Sequence, residues 1–128
     1  MGKTVIYIAS LLTLSWGVLH LVFTSGVVEN FGELSTGNRM IVTMEWIVEG
    51  VALIFIGVLT IIVTITDTES QLAKRIYLTI VGMLFSLAVV SLFTGFRVDF
   101  IPYKICPVIF SLSAILIIVG MNLKPNQK

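Results

Sequence analysis

Charged residues are scarce in this sequence, since Asp, Glu, Lys and Arg make up only 12% of its 128 residues. A soluble domain carries about a quarter charged residues, so this chain has too little polar surface to cover a water-soluble globule. The net charge of +1 gives no strong basic field, and the sequence contains no Gly-rich phosphate loop. These absences argue against a nucleic-acid partner and predict the lipid bilayer as the solvent of the folded chain.

Cysteine and histidine each occur once, as Cys106 and His20. One cysteine cannot form an internal disulfide, and C-x-x-C redox or zinc chemistry is excluded. A buried packing role for Cys106 is favoured over an intermolecular disulfide or a reactive thiol, because free cysteine is among the most buried residue types. With one histidine and no H-x-x-H or E-x-x-H motif, the sequence predicts no metal site, and it predicts no cofactor.

Long hydrophobic segments stand where a soluble protein would carry charge. They cover residues 4–23, 41–65, 76–96 and 105–123. Each is close to the ~20 residues that cross the hydrocarbon core, and a spanning segment satisfies its own backbone hydrogen bonds as a helix. We therefore predict an all-α fold: a single transmembrane domain, formed by an integral membrane four-helix bundle. The helices are expected to run up-down-up-down, with sequential helices as antiparallel neighbours.

The segments between the predicted spans differ in composition. Residues 24–39 combine polar residues with Val27, Val28, Phe31 and Leu34, which predicts a short amphipathic turn on the membrane surface. Residues 66–75 predict a polar turn, and prolines in the last linker separate the third span from the fourth. The first span is expected to be a retained helix, because it is too long for a signal-peptide core and lacks an A-x-A site.

Positive charge is unevenly distributed between the two sides of the predicted bundle. Four spans place both termini on one side, which carries Lys3, Lys74, Arg75, Lys124 and Lys128. The other side carries Arg39, Arg97 and Lys104. The positive-inside rule therefore predicts a multi-pass protein of the cell membrane with both termini in the cytoplasm.

Ionisable residues inside apolar spans are costly, which makes them candidates for function. Glu45 and Glu49 lie four residues apart, so they share one face of the second span. His20 lies near the outer end of the first span, at a comparable depth. We predict one extracytoplasmic cluster, used either for ligand binding or for structure, that consists of His20, Glu45, Glu49, Arg97, Asp99 and Lys104.

Three interpretations of the two glutamates stay open. Glu49 can form a structural ion pair with Arg97 or Lys104, because buried charges need partners. It can instead belong to a ligand or proton site, or remain an isolated protonated acid. Two carboxylates one helical turn apart repel each other when both are ionised, so we expect one of them to be protonated or paired with a base.

Two short motifs carry a resemblance to a known family. The first span ends in GVLH (residues 17–20), and the second span contains EGVALIFIGVL (residues 49–59). Together with the four-span layout, they resemble the DoxX-like family of small four-helix membrane proteins, in which a Glu-Gly pair precedes a Leu/Gly-rich stretch. The matching residues here are Glu49, Gly50 and Gly57. The resemblance implies a four-helix bundle that serves as an accessory subunit or partner in membrane redox or assembly, without implying a reaction.

A non-catalytic role is favoured from these features. The first expectation is an accessory or ligand-binding subunit, whose extracytoplasmic pocket holds a small lipophilic molecule or contacts a partner membrane protein. One alternative is a membrane-embedded enzyme or redox protein that acts on a quinone-like or lipid substrate, with His20, Glu45 and Glu49 as acid–base groups. Another alternative is a transporter subunit that must oligomerise. A homo-oligomer is also possible under the other interpretations.

Overall fold

Helices dominate the part of the chain that the computed structural model describes, residues 1–95 and 101–123. In chain order they are α1 (Gly2–Val22), α2 (Thr24–Glu29), α3 (Thr36–Thr66), α4 (Gln71–Gly95) and α5 (Ile101–Asn122). Four of these, all but α2, are long and apolar enough to cross a membrane. The prediction of an all-helical protein with four long apolar helices is confirmed for the described residues.

Two of the long helices, α3 and α4, begin before their apolar segments because serine side chains cap them. The Ser35 side chain accepts a hydrogen bond from the backbone N–H of Asn38 at 3.3 Å, so α3 begins before its apolar segment. In the same way, Ser70 Oγ accepts from the N–H of Ala73 at 3.1 Å where α4 begins. Hydropathy therefore locates the helices but underestimates their lengths.

The turn between α3 and α4 is organised by Asp67. Its Oδ1 accepts hydrogen bonds from the backbone N–H groups of Glu69 at 2.8 Å and Ser70 at 3.3 Å. The bond from Glu69 is the main reason that the pKa of Asp67 lies below its ordinary value, because donated hydrogen bonds favour the charged carboxylate. This local network reverses the chain without using the bundle core.

Helix packing places α1 between α3 and α5, and α5 in turn packs against α4. Glycines mark the close approaches, with Gly57 of α3 against Leu14 of α1 and Gly2 of α1 against Gly120 of α5. The first and second spans, α1 and α3, pack against each other, and so do the third and fourth, α4 and α5. The second and third spans, α3 and α4, touch only sparingly, which differs from the predicted arrangement. The reason is that the glycine face of α3 is turned toward α1.

The bundle has a small interior and an apolar exterior. Leu53, Tyr77, Leu84 and Phe110 are fully buried at its centre. Within the most apolar window of each long helix, however, only 28–39% of the residues are buried. Most of the hydrophobic side chains therefore point outward, as for Phe93, which is 69% exposed.

Buried hydroxyl groups are satisfied mainly by their own helices. Ser10, Thr13 and Thr60 each donate to the carbonyl four residues earlier, at 2.7–3.0 Å. Such bonds direct these three hydroxyl groups to their own helices and not across the bundle. The Thr64 hydroxyl of α3 differs, because it also lies 2.9 Å from the Tyr77 hydroxyl of α4.

The short helix α2 closes one end of the bundle. Its Val27 and Val28 are each 4% exposed, and the helix packs mainly against α3. The sequence predicts an amphipathic turn at this place. A helix is present, but its apolar face covers the bundle, because the ends of α1 and α3 leave an apolar surface beneath it.

Candidate functional site

His20 is deeply buried near this end of the bundle, with only 2% exposure. Its Nδ1 lies 2.9 Å from the carbonyl oxygen of Trp16, one turn earlier in α1. A carbonyl oxygen can only accept a hydrogen bond, so Nδ1 is the donor. In the neutral imidazole, this leaves Nε2 as an acceptor with a free lone pair.

Glycines bring α3 against α1 at the level of His20. A Cβ built on Gly17 would lie 2.7 Å from the Gly50 carbonyl oxygen, and one on Gly50 would lie 2.8 Å from the His20 Cβ. Distances this short exclude any larger side chain unless the helices separate. Gly17 and Gly50 therefore allow the two backbones to approach where the polar residues are located.

Aromatic rings enclose the histidine on several sides. The Trp46 ring stacks on the His20 ring with centroids 4.2 Å apart and planes 19° from parallel. The Trp46 indole N–H also donates to the His20 carbonyl oxygen at 2.7 Å. Trp16 meets the imidazole edge-on at 5.6 Å, and Tyr103 of α5 meets Trp46 edge-on at 5.4 Å. The orientation of His20 is consequently held by one hydrogen bond and two rings.

Glu49 lies beside the free nitrogen of His20. Its Oε2 is 3.8 Å from His20 Nε2, which is longer than a hydrogen bond but within the range of an ion pair. The Glu49 side chain is 25% exposed, whereas His20 is not accessible. Cys106 of α5 completes the group, since one donor atom each from His20, Glu49 and Cys106 lies within 4.8 Å of the other two.

Two nitrogen atoms in this region are buried without a hydrogen-bond partner. They are His20 Nε2 and Trp16 Nε1; among the described residues, the only other such side-chain atom is Ser113 Oγ, deeper in α5. Buried polar groups are usually paired, and leaving one unpaired costs about 1–3 kcal/mol. Trp16 Nε1 lies beside the Cys106 thiol, a weak acceptor, so His20 Nε2 is the atom that marks a place where a further group can bind.

A cavity of about 390 Å³ opens next to the histidine, between α1, α2 and α3. Its wall is almost entirely apolar and includes both tryptophans of the chain. The lining residues are Trp16, Leu19, His20, Phe23, Gly26, Val27, Asn30, Trp46 and Pro102. Sites for small molecules have this character, with hydrophobic and aromatic walls and a few polar groups. We refer to this space as the tryptophan pocket.

The predicted cluster is only partly assembled by the structure. His20 and Glu49 lie together, whereas the Glu45 side chain is exposed one turn away. Lys104 is half-buried in the first turn of α5. Arg97 and Asp99 lie outside the described residues.

Four side chains at the site do not belong to the predicted cluster: Trp16, Trp46, Tyr103 and Cys106. The sequence could have associated Trp16 with the site, because Trp16 lies four residues before His20 and so shares its helical face. The sequence could not have associated Cys106 with the site, since its approach to Glu49 depends on how α5 packs against α1.

Comparison with known proteins finds no relative to which this chain can be assigned. No protein-family model, no curated protein and no solved structure matches it. The function is therefore inferred from the residues and geometry described above.

Proposed function

We propose that this chain is a multi-pass membrane protein that crosses the bilayer with α1, α3, α4 and α5. The supporting observation is the outward-facing apolar surface of all four helices, including Phe55 at 65% and Phe93 at 69% exposure. Moving one such side chain out of water contributes about 1.5–3 kcal/mol, and dozens are exposed here. At 31 residues, α3 is about 46 Å long, enough to cross the hydrocarbon core of ~30 Å and project beyond it.

The proposed orientation has both termini in the cytoplasm of a cell-membrane protein. It follows from the excess of positive charge near the termini and the α3–α4 turn, where Lys3, Lys74 and Arg75 lie. In this orientation α2, the tryptophan pocket and His20 lie toward the extracytoplasmic side. We refer to that end as the outer end.

We propose that the tryptophan pocket binds a small lipophilic molecule that contains a planar ring. The single observation that carries this proposal is the cavity of about 390 Å³, which has an apolar wall built around two indoles and an imidazole. The volume suits a small molecule and is too small for a transmembrane helix of a partner. Aromatic walls favour a flat group that can stack on or pack edge-on against them. The membrane itself would concentrate such a ligand.

The role that fits best is that of an accessory or ligand-binding subunit. Within the described residues, the polar side chains of the membrane interior are mostly hydroxyls that bond to their own helices, which disfavours an ion path. The resemblance to the DoxX-like family, which rests on Glu49, Gly50 and Gly57, implies the same kind of role. Membership in that family remains a proposal.

A second candidate is a membrane enzyme or redox protein that acts on a quinone-like molecule. The observation that favours it is the pair formed by His20 Nε2 and Glu49 Oε2 at 3.8 Å, beside the pocket. Two such groups can exchange a proton with a bound ring oxygen. Under this alternative, Glu49→Gln would abolish turnover of a quinone but leave its binding intact.

Tryptophan fluorescence tests ligand binding directly, because the only two tryptophans of the chain both line the pocket. The purified protein in lipid nanodiscs is titrated with a benzoquinone that carries a decyl tail, which quenches indole emission on contact. We expect a saturable component of quenching in addition to the linear component caused by probe dissolved in the lipid.

Gly26→Leu is designed to fill the pocket without disturbing the fold. Gly26 lines the cavity, and a Cβ built on it meets no atom within 4 Å. We expect this variant to lose the saturable component. Gly82→Leu is the matched control, since Gly82 is equally unobstructed but lies in α4, away from the pocket. Identical, non-saturating curves for the wild type and Gly26→Leu would contradict the proposal.

A further inference from the structure

Three helices each contribute one metal-binding side chain to the same point near the outer end. The residues are His20 from α1, Glu49 from α3 and Cys106 from α5. One donor atom of each, a ring nitrogen, a carboxylate oxygen and the sulfur, lies within 4.8 Å of the other two. Residues far apart in the sequence are thus brought together by helix packing.

The hydrogen bonding of His20 is arranged as it is in metal-binding histidines. Such a histidine nearly always donates its other ring N–H to a carbonyl or carboxylate, which fixes the tautomer and aims the free nitrogen at the metal. Here Nδ1 donates to the Trp16 carbonyl oxygen at 2.9 Å. Nε2 is left buried without a hydrogen-bond partner, and it faces Glu49 Oε2 at 3.8 Å.

We propose that His20 Nε2, a Glu49 carboxylate oxygen and Cys106 Sγ bind one Zn²⁺ ion. Nitrogen, oxygen and thiolate sulfur are the donors that zinc prefers. The charges also balance, because Zn²⁺ with one carboxylate and one thiolate is neutral, and a neutral centre suits an apolar surrounding. On binding, the Cys106 thiol loses its proton to the buffer as the Zn–S bond forms, and no electron is transferred.

Only a small movement is needed to form the site. Bonds of about 2.0–2.3 Å to zinc place tetrahedral donors about 3.3–3.7 Å apart. The observed separations, at most 4.8 Å, must therefore shorten by about 1.5 Å or less. Glu49 can supply this movement because its side chain is partly exposed. Three protein donors leave a fourth position for water or another small ligand, which is the arrangement of zinc sites that are open to chemistry.

A metal-free alternative is an ion pair between a protonated His20 and an ionised Glu49. It accounts for the distance of 3.8 Å between the two side chains. It does not involve the Cys106 sulfur, which then only packs beside the Trp16 side chain, and it places a charged imidazolium in a site with 2% exposure. Because the two alternatives differ in the involvement of the sulfur, an experiment that detects metal–thiolate bonding separates them.

Cobalt(II) is a suitable probe, because it substitutes for zinc and its bond to a thiolate absorbs in the near ultraviolet. Cys106 is the only cysteine of the chain, so any such band reports this residue. The full-length protein, free of purification tags and treated with a chelator, is titrated with Co²⁺ in nanodiscs without added lipophilic ligand. We expect one Co²⁺ per chain, with the band lost when Zn²⁺ is added. Because no lipophilic ligand is present, the result is independent of the proposed function.

Matched variants identify the donors. Cys106→Ser is expected to abolish the band, and Glu49→Gln is expected to weaken Co²⁺ binding at least tenfold. Glu45→Gln is the control, since it makes the same chemical change one turn away on an exposed side chain, and it should bind like the wild type. No band at millimolar Co²⁺, or equal binding by Glu49→Gln and Glu45→Gln, would overturn the proposal.

A measurement on the wild-type protein tests the proposal even when a variant fails to fold. Alkylation of Cys106 by N-ethylmaleimide is followed by whole-protein mass spectrometry, with and without equimolar Zn²⁺. We expect zinc to slow alkylation at least tenfold. An unchanged rate would overturn the involvement of Cys106.

Discussion

The extent of packing between α3 and its two neighbours in the chain, α1 and α4, does not follow from the length of the connecting segments. A single tight turn joins α3 to α4, yet these helices touch only sparingly. A hydrogen bond between Thr64 of α3 and Tyr77 of α4 connects them. α1 and α3 are separated by α2 and a longer connection, yet they share the most extensive interface of the bundle. Small residues, not closeness in the chain, decide which membrane helices pack closely.

The difference also explains where the site lies. At the α1–α3 interface, Gly17 and Gly50 bring the backbones close enough for His20 to be enclosed by aromatic rings. At the α3–α4 interface, hydroxyl groups are satisfied locally, and Thr64 also bonds to the Thr60 carbonyl oxygen at 2.6 Å. Of these two interfaces, α1–α3 is the one where, in the described part of the chain, closely packed polar residues include a buried atom without a hydrogen-bond partner, His20 Nε2.

The largest expected effect comes from separating α1 from α3. In Gly17→Leu, the Cβ alone would lie 2.7 Å from the Gly50 carbonyl oxygen and 2.8 Å from the Ile54 nitrogen. Because backbone atoms cannot move aside, we expect the free energy of unfolding to fall by about 3 kcal/mol or more. The measurement is unfolding in mixed micelles with increasing dodecyl sulfate, followed by tryptophan fluorescence. Gly82→Leu in α4 should change it little, and equal losses in the two variants would contradict the difference between the interfaces.

A smaller effect is expected from Trp46→Phe. This change removes the hydrogen bond to the His20 carbonyl oxygen at 2.7 Å and reduces the ring that stacks on His20. We expect a loss of about 1–2 kcal/mol in the free energy of unfolding, measured in the same micelles. The quinone titration should also lose its saturable component. A variant with wild-type stability would show that the stack does not hold α3 against α1.

The smallest effect is expected from Tyr77→Phe at the α3–α4 interface. The change removes the Tyr77 hydroxyl that lies 2.9 Å from Thr64, but Thr64 keeps its bond to Thr60. Since no group is left unpaired, we expect a loss of about 0.6 kcal/mol, typical of hydrogen bonds between membrane helices. Circular dichroism during the same denaturation measures it. A loss larger than that of Trp46→Phe would reverse the ranking of the two interfaces.

Hydropathy could predict the number of long helices, because a spanning helix requires an uninterrupted apolar segment of known length. It could not predict their ends, since Ser35 and Ser70 cap helices from polar sequence. Hydropathy also could not predict that α4 packs only sparingly against α3. Glycines are visible in the sequence, but which helix each one faces depends on rotations that hydropathy does not determine.

The candidate site was accessible to sequence reasoning only in part. His20 and Glu49 could be associated because both lie near the outer ends of antiparallel spans. The sequence could not distinguish the surroundings of Glu45 from those of Glu49, and in the structure the Glu45 side chain is exposed. Cys106 resembles an ordinary packing residue in the sequence, and its position beside Glu49 follows from how α5 packs against α1.

Labelling from one side of the membrane tests whether the bundle crosses the bilayer with the tryptophan pocket at its outer end. Glu33→Cys, between α2 and α3, and Glu69→Cys, in the α3–α4 turn, replace two exposed glutamates at opposite ends. Each is made in a Cys106→Ser background, and right-side-out vesicles are treated with a membrane-impermeant maleimide. We predict labelling of the Glu33 position in intact vesicles and of the Glu69 position only after permeabilisation. Labelling of both positions in intact vesicles, or the reverse pattern, would contradict the proposed arrangement.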